Sequence, residues 1–509
     1  MSAQKFFTQI TLVLMLVLFS LSSSAQARTP QADYSAVDTY VEAQREKLHI
    51  PGIAVAIVQG DQIVHLGSYG EAAKGRPVTP QTPFLTGSTG KSFTALAVMQ
   101  LVEAGKIELD APVQTYIPWF HVADPLASAQ ITVKQLLTQT SGFSNSAGLQ
   151  ELVASDLSDQ AIENSVRALA DVELLRAPGE DYEYSNLNFT ILGLVVQVVS
   201  GQSYESYMQE HIFDPLDMRH SFTSQDEAKQ NGMSTGYSTF FGIPLAKDQP
   251  FNRGNIAGGY LMISAEDMAH YLIAQLNQGR YGETSVLSPA GMDAMRQPIV
   301  SMGVGEDHYG MGWVVGPVNG NPVVWHDGEN VNFSTFMLTD PQAKLGIALL
   351  SNANGTFVSK ANSQIGEGVY AILLGQTPQP YEKSTGFYMT FLSTFIPALI
   401  SLLWVGWTLY RFLRRQKQTS PIMRDRRWWM WVIAVPIFVD LNLLIMALVF
   451  IPSQWGLPFD GMLAMFPDAF LMLIGSAILV AVWSMVRTVL SFRQSNETPK
   501  VTRTNPGLV

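Results

Sequence analysis

The stretch that decides the fold is Ser88-Thr89-Gly90-Lys91, which runs without a break into Ser92-Phe93-Thr94-Ala95-Leu96-Ala97-Val98-Met99. A serine three residues before a lysine on a helix lies on the lysine's own face, one turn away. A serine hydroxyl is a weak nucleophile until a base takes its proton, and burial lets a lysine act as that base near neutral pH by disfavouring the ammonium. The stretch therefore reads as a nucleophile with its base attached. Two other readings compete. Ser and Thr commonly cap the free N–H groups of a first helical turn. Gly87 to Ser92 also has the ending of a phosphate-binding loop, but that motif needs a glycine five positions before Gly90, and position 85 is Leu.

Working outward, the two ends of the chain are of different material from its middle. Lys5, the apolar and hydroxyl run over residues 10–21, and Ala25-Gln26-Ala27 have the form of a secretory signal with a small-x-small cleavage site, predicting removal of residues 1–27. At the other end, three long apolar runs are predicted membrane spans, over residues 387–410, 428–451 and 462–486. As a helix the first would reach about 36 Å, against a hydrocarbon core of about 30 Å. Seven basic residues, from Arg411 to Arg427, separate the first two runs, none lies in the connection over residues 452–461, and Arg487, Arg493, Lys500 and Arg503 follow the third. The positive-inside rule places the first connection and the tail, residues 491–509, in the cytoplasm. Everything before residue 384 then lies outside, as the signal also requires. Asp440 and Asn442 fall within the second run. Asp440 reads either as a functional group or, the favoured reading, as a polar contact holding the helices together.

Residues 384–509 hold 11 basic and 5 acidic residues, a net of +6, which leaves −17 for the remainder against −11 for the whole chain. An acidic ectodomain argues against nucleic acid as a partner. The 509 residues include no cysteine, so disulfides, thiolate metal sites and a cysteine nucleophile are excluded.

Between these ends, residues 28–375 are predicted to form one extracytoplasmic domain, joined to the spans by a linker at 376–386. A helix is expected over residues 34–48, strands over 52–58 and 63–69, the Ser88 helix, a further helix from Ile131, and strands over 309–316, 322–325, 334–338 and 346–350. Early and late strands around a helical middle predict one sheet built from both ends of the domain. Loops within 143–180 and 222–255 are expected to shape the pocket.

Two further sites can complete the chemistry. Tyr184-Ser185-Asn186 can turn its first and third side chains into a cleft, for proton relay and for binding a substrate amide. In His326-Asp327-Gly328, after Val323-Val324-Trp325, His326 and Gly328 share one face of a strand, with Asp327 opposite. There the glycine admits substrate to the strand edge and the histidine offers a hydrogen bond or a charge. Taken singly, each is also an ordinary loop or surface residue.

Together, Ser88…Lys91, Tyr184…Asn186 and His326…Gly328 resemble, in order and type, the serine β-lactamase and penicillin-binding-protein superfamily, in its class C β-lactamase-like branch. Ile50-Pro51-Gly52, Leu136-Leu137-Thr138-Gln139-Thr140-Ser141-Gly142, Gly258-Gly259-Tyr260, Tyr309-Gly310-Met311-Gly312-Trp313 and Asn332-Phe333-Ser334 add to the likeness. With three C-terminal spans, the layout is similar to membrane-anchored penicillin-binding-protein-like hydrolases, a group that includes the D-aminopeptidase that matures colibactin and staphylococcal FmtA-like proteins. The resemblance implies an α+β fold, with an antiparallel sheet flanked by helices, a helical subdomain and then the three-helix membrane domain. It implies acylation of Ser88, Lys91 and Tyr184 sharing base and acid duty, an oxyanion hole from the N–H groups of Ser88 and Glu329, and substrate positioning by Asn186, His326 and Gly328. It implies no metal or cofactor.

The implied protein is a bacterial cytoplasmic-membrane hydrolase, its catalytic domain on the periplasmic or extracellular face, acting on a peptide or D-amino-acid amide, cell-wall-derived or acylated. An esterase or β-lactamase on the same site, or a non-catalytic sensory domain, are the alternatives. His326 stands where class C β-lactamases carry lysine, and a neutral imidazole holds a substrate carboxylate less firmly than an ammonium does. Gln139 stands where many relatives have histidine.

Overall fold

The computed structural model describes residues 34–150, 154–248, 251–356, 358, 360–379, 381, 385–416, 434–455 and 459–496. The predicted signal segment, residues 417–433 (most of the basic connection and the start of the second predicted run) and the tail beyond 496 lie outside the described residues.

The expected sheet is present. Helix α1 (Ser35–Lys47) leads into strands β1 (Gly52–Gln59), β2 (Gln62–Ala73) and β3 (Arg76–Pro77). After the helical middle, with α2 (Gly90–Glu103), α3 (Asn186–Ser200) and α4 (Ala265–Leu276), the chain returns as β4 (Val300–Ser301), β5 (His308–Tyr309), β6 (Val314–Val318), β7 (Asn321–Glu329), β8 (Ser334–Asp340) and β9 (Leu345–Ser351), then α5 (Ala361–Leu373). The nine strands form one antiparallel sheet in the order β4-β5-β6-β7-β8-β9-β1-β2-β3. Early and late strands meet where β1 pairs with β9, from Ile53↔Ser351 to Gln59↔Leu345.

Side chains alternate across a strand, and here both faces are covered. Ile53, Val55 and Ile57 of β1 enter the apolar cluster beneath α1 and α5, while Ala54, Ala56 and Val58 enter the cluster that holds the central helices. That is why β1 reads as a continuous apolar run. α2 is buried on nearly its whole circumference, from Gly90 to Met99, so it is the core of the helical layer and sets where Ser88 sits.

The predicted strand over 309–316 is broken into β5 and β6. Gly312 between them has φ +74°, and a Cβ there would come within 2.9 Å of the Lys91 carbonyl oxygen. A left-handed turn without a side chain lets this segment pack on the start of α2.

Among the described residues, three C-terminal helices are long and apolar enough to cross a membrane, with candidate spans Phe391–Arg411, Val435–Ser453 and Pro467–Leu490. They belong to α6 (Thr385–Gln416), to α7 (Val435–Ile445) with its continuation, and to α9 (Pro467–Asn496). The long third helix starts at Pro467 rather than Met462. Residues 462–465 fall instead in a separate short helix, α8 (Phe459–Met465), because a residue before proline is driven out of the helical region. Asp440 on α7 accepts from Trp404 Nε1 of α6 at 2.8 Å and from the Arg487 guanidinium of α9 at 2.5 Å. It therefore ties the three helices together, as the structural reading of this residue expected.

A buried ion pair is costly to break because the survivor is left charged and alone, on the order of 3 kcal/mol. We expect Asp440→Ala and Arg487→Met each to lower the thermal midpoint of the detergent-purified protein, followed by tryptophan fluorescence. The double variant should lose clearly less than the sum. Additive losses would show that the pair is not coupled.

Candidate active site

Ser88 lies in a single 3₁₀ turn (Gly87–Thr89) that feeds α2. Gly87 at φ +55° has no room for a side chain, since a Cβ would approach the Glu329 backbone nitrogen to 2.7 Å. Gly328 faces the turn from β7, where a Cβ would meet the Thr86 carbonyl oxygen at 2.2 Å and the Ser88 backbone nitrogen at 2.9 Å. Two glycines on two elements thus allow a backbone-to-backbone approach that any other residue would block, and they bring the N–H groups of Ser88 and Glu329 side by side. β7 pairs with β8 through Glu329 but with β6 only up to Trp325. Residues 326–329 therefore offer one edge, beside Ser88, that carries no strand partner among the described residues.

Lys91 is fully buried. Its Nζ lies 3.0 Å from Ser88 Oγ, 2.8 Å from Asn186 Oδ1 and 2.6 Å from the Gly258 carbonyl oxygen. Burial pulls its pKa down to about 7, against a weaker upward pull from Asp327. Tyr184 donates from its hydroxyl to Ser88 Oγ at 2.7 Å. Desolvation pushes that phenol well above its ordinary pKa, with Tyr182 and Asp327 adding to the rise and the Ser88 contact opposing it. Tyr184 is a proton donor at neutral pH.

Asn186 and His326, both at the cavity, also have partners within the protein. The Asn186 amide holds Lys91 with its oxygen and reaches the Gly148 carbonyl with its nitrogen at 3.3 Å. His326 Nδ1 lies 2.6 Å from the Asp327 carbonyl oxygen, which can only accept, so Nδ1 carries the proton. Nε2 is then left to accept from Tyr309 Oη at 3.2 Å. Burial lowers the His326 pKa to about 4, against the pull of Asp327, so it supplies no positive charge at neutral pH.

The cation at this rim is Lys360, which the motifs did not point to. It sits at the start of α5 with φ +62°, its backbone N–H is held by Glu329 Oε1 at 2.7 Å, and its ammonium pairs with Asp327. Asp327 was expected on the far side of the strand, yet it lines the same cavity, because that cavity wraps around the free edge of β7. The Asp327 carboxyl is held below its usual range: burial alone would raise it, but Lys360 and His326 outweigh burial.

Gln139 also acquires a role. Its side-chain oxygen accepts from the Ser185 N–H at 3.0 Å and from Asn188, and its carbonyl oxygen accepts from the Glu183 N–H at 2.9 Å. It fixes the backbone on both sides of Tyr184. Its place in the Leu-Leu-Thr-x-Thr-Ser-Gly stretch was the only sequence signal for it.

Ser88, Tyr184, Asn186, His326 and Glu329 line one cavity of about 380 Å³, with Asn145, Leu149, Tyr182 and Met465 among the others. The loop within 143–180 thus contributes to the cavity. Among the described residues, none from 222–255 lines it.

Comparison with known proteins agrees with this architecture. The chain is 32% identical over 329 residues to Protein flp of Staphylococcus aureus strain MW2, a match that covers 64% of each, so the chain spans less than two thirds of that relative. It is 30% identical over 331 residues to penicillin-binding protein 4 of Amycolatopsis lactamdurans, covering 61% of this chain and 83% of the relative. Among solved structures, the octameric penicillin-binding protein homologue from Pyrococcus abyssi superposes with a TM-score of 0.61 at 28% identity, over 71% of this chain and 81% of that one. The family described as Beta-lactamase matches residues 37–369, well over half of the chain. With its antiparallel sheet, flanking helices and penicillin-binding-protein-like relatives, this chain belongs to the beta-lactamase family of serine hydrolase folds.

Proposed function

We propose that this protein is a membrane-anchored serine hydrolase, facing outward, that works through an ester on Ser88. One observation carries the reading: a buried lysine amine 3.0 Å from Ser88 Oγ whose two other partners are carbonyl oxygens. Carbonyl oxygens only accept. A neutral Lys91 satisfies both with its two N–H bonds and turns its lone pair to the Ser88 hydroxyl. Its lowered pKa makes that state accessible near pH 7.

In the step this supports, Ser88 Oγ adds to the substrate carbonyl carbon and its proton passes to Lys91. The carbonyl oxygen takes up negative charge beside the N–H groups of Ser88 and Glu329. Each such donor is worth about a hundredfold or more in rate. Tyr184 gives its proton to the leaving group as the carbonyl–leaving-group bond breaks, and Lys91 returns the serine proton to Tyr184. Water then attacks the ester by the same route in reverse, restoring Ser88.

The charges around the cavity favour an amide or neutral ester over a substrate anchored by a carboxylate. His326 is neutral, and the Lys360 ammonium is already engaged by Asp327. This supports a peptidase or amidase on peptide or D-amino-acid amide substrates, with an esterase second and a β-lactamase third. The signal-like N-terminus, the three apolar helices and the distribution of basic residues support placement outside a bacterial cytoplasmic membrane.

Intact-mass spectrometry of the full chain after a fluorophosphonate should show one adduct on wild type and none on Ser88→Ala. Labelling of the Ala variant at the wild-type rate would defeat the assignment and favour a non-catalytic binding domain.

The pH dependence follows from Lys91. A base works only when deprotonated, so the acylation rate should be low at pH 5 and rise along one limb with a midpoint near 7, levelling above 8. Lys91→Arg should remove the limb and most of the rate. A midpoint near 4 would point to a carboxylate instead.

A further inference from the structure

One wall of the cavity does not come from the enzyme domain. Met465, the last residue of α8, lines the space beside Ser88, Tyr184 and His326. α8 and the first turn of α9 form the connection between the second and third apolar helices, a segment that an anchor alone would have no reason to insert there.

This connection is fastened to the domain at several points. The Asp468 carboxylate, fully buried in the first turn of α9, accepts from Thr356 Oγ1 at 2.6 Å and from the Phe241 N–H at 3.2 Å. An acidic group there also complements the positive end of a long helix. Lys247 Nζ donates to the Ala464 carbonyl oxygen at 3.0 Å, satisfying one of the orphan acceptors at the end of α8. Met462 and Met465 belong to the same apolar cluster as the enzyme core.

The fastening points lead back to the catalytic strand. The Lys247 carbonyl accepts from Asn332 Nδ2 at 2.6 Å, and Asn354 Nδ2 donates to the Asn330 carbonyl at 2.7 Å, both in the turn that follows Glu329. The catalytic steps above make no use of Met465. Methionine is unbranched and adaptable, suited to an apolar chain of variable shape. Leu149, Met302, Val314 and Trp325 line the same cavity, and its ammonium at the rim is engaged by Asp327.

We propose that the connection between the second and third apolar helices is part of the substrate-binding surface: Met465 contacts an apolar chain of the substrate, and Asp468 is the positioning residue that holds Met465 at the cavity. This rests on Ser88 being the nucleophile.

The test uses the full-length protein in detergent and two covalent probes, a methyl and a dodecyl fluorophosphonate. Wild type should react faster with the dodecyl probe. Met465→Gln, close in shape but polar, and Met465→Ala should each lower the dodecyl-to-methyl rate ratio by about tenfold, the equivalent of losing contact with about two methylenes. The methyl rate should fall by clearly less than the dodecyl rate, because the contact at stake is with the long chain. Asp468→Asn and Thr356→Val should lower the same ratio by weakening dodecyl binding at unchanged maximal rate, and Asp468→Glu should recover part of it. An unchanged ratio in both Met465 variants would overturn the inference. So would an equal loss with both probes in every variant, which would make the connection a support for the fold alone. If the methyl probe fails to label wild-type Ser88, the nucleophile assignment itself fails, and this inference with it.

Discussion

The site is organised around one unfavourable act, the burial of an amine. Lys91 lies inside a helix that is apolar on almost every side, where an ammonium is disfavoured and a neutral amine is tolerated if its hydrogens are taken. The Asn186 side chain and the Gly258 carbonyl take them. Each of these is placed by a different part of the fold: Asn186 by the first turn of α3, Gly258 by the short helix Ile256–Gly259. Burial of the amine, exposure of the serine and convergence of three helices are therefore one requirement rather than three.

The second requirement is closeness without side chains. Gly87, Gly259 and Gly328 meet around the Ser88 turn, and a Cβ on any of them would fall within about 3 Å of another segment's backbone. This explains why the chain can spare strand pairing at residues 326–329. The free edge is stiffened from below, where Thr335 on β8 bonds to the Thr86 carbonyl and to Thr89. The Ser88 and Glu329 N–H groups, the proposed donors to an oxyanion, thus sit beside a brace built from three threonines.

What was legible in the sequence divides along these lines. Periodic or continuous apolar runs announce β1, β8, β9 and α2, because each is a local pattern answering to a buried face. Ser88, Lys91, Tyr184 and Gly328 are legible because their types and order are restrictive. His326 was legible as a position, while its charge was left open between a hydrogen bond and a cation. Its lowered pKa comes from burial, which no local pattern reveals. Lys360 and Met465 were not legible at all. Lys360 reaches the site from a left-handed residue before α5, and Met465 comes from the connection between the second and third apolar helices.

That last contribution changes how the C-terminal helices relate to the beta-lactamase-like domain. An anchor needs length and apolarity, which α6, α7 and α9 have. It does not need Asp468 placed to receive a hydroxyl and a backbone N–H from the beta-lactamase-like domain, nor a lysine from that domain on the end of α8. Burying these polar groups is unfavourable unless they meet one another, so the arrangement holds in one docked position and weakens in others. Asp440 does for the three helices what Asp468 does for the joint between them and the enzyme. A polar group in an apolar setting selects one geometry, and here the geometry selected carries a methionine to the edge of the serine's cavity.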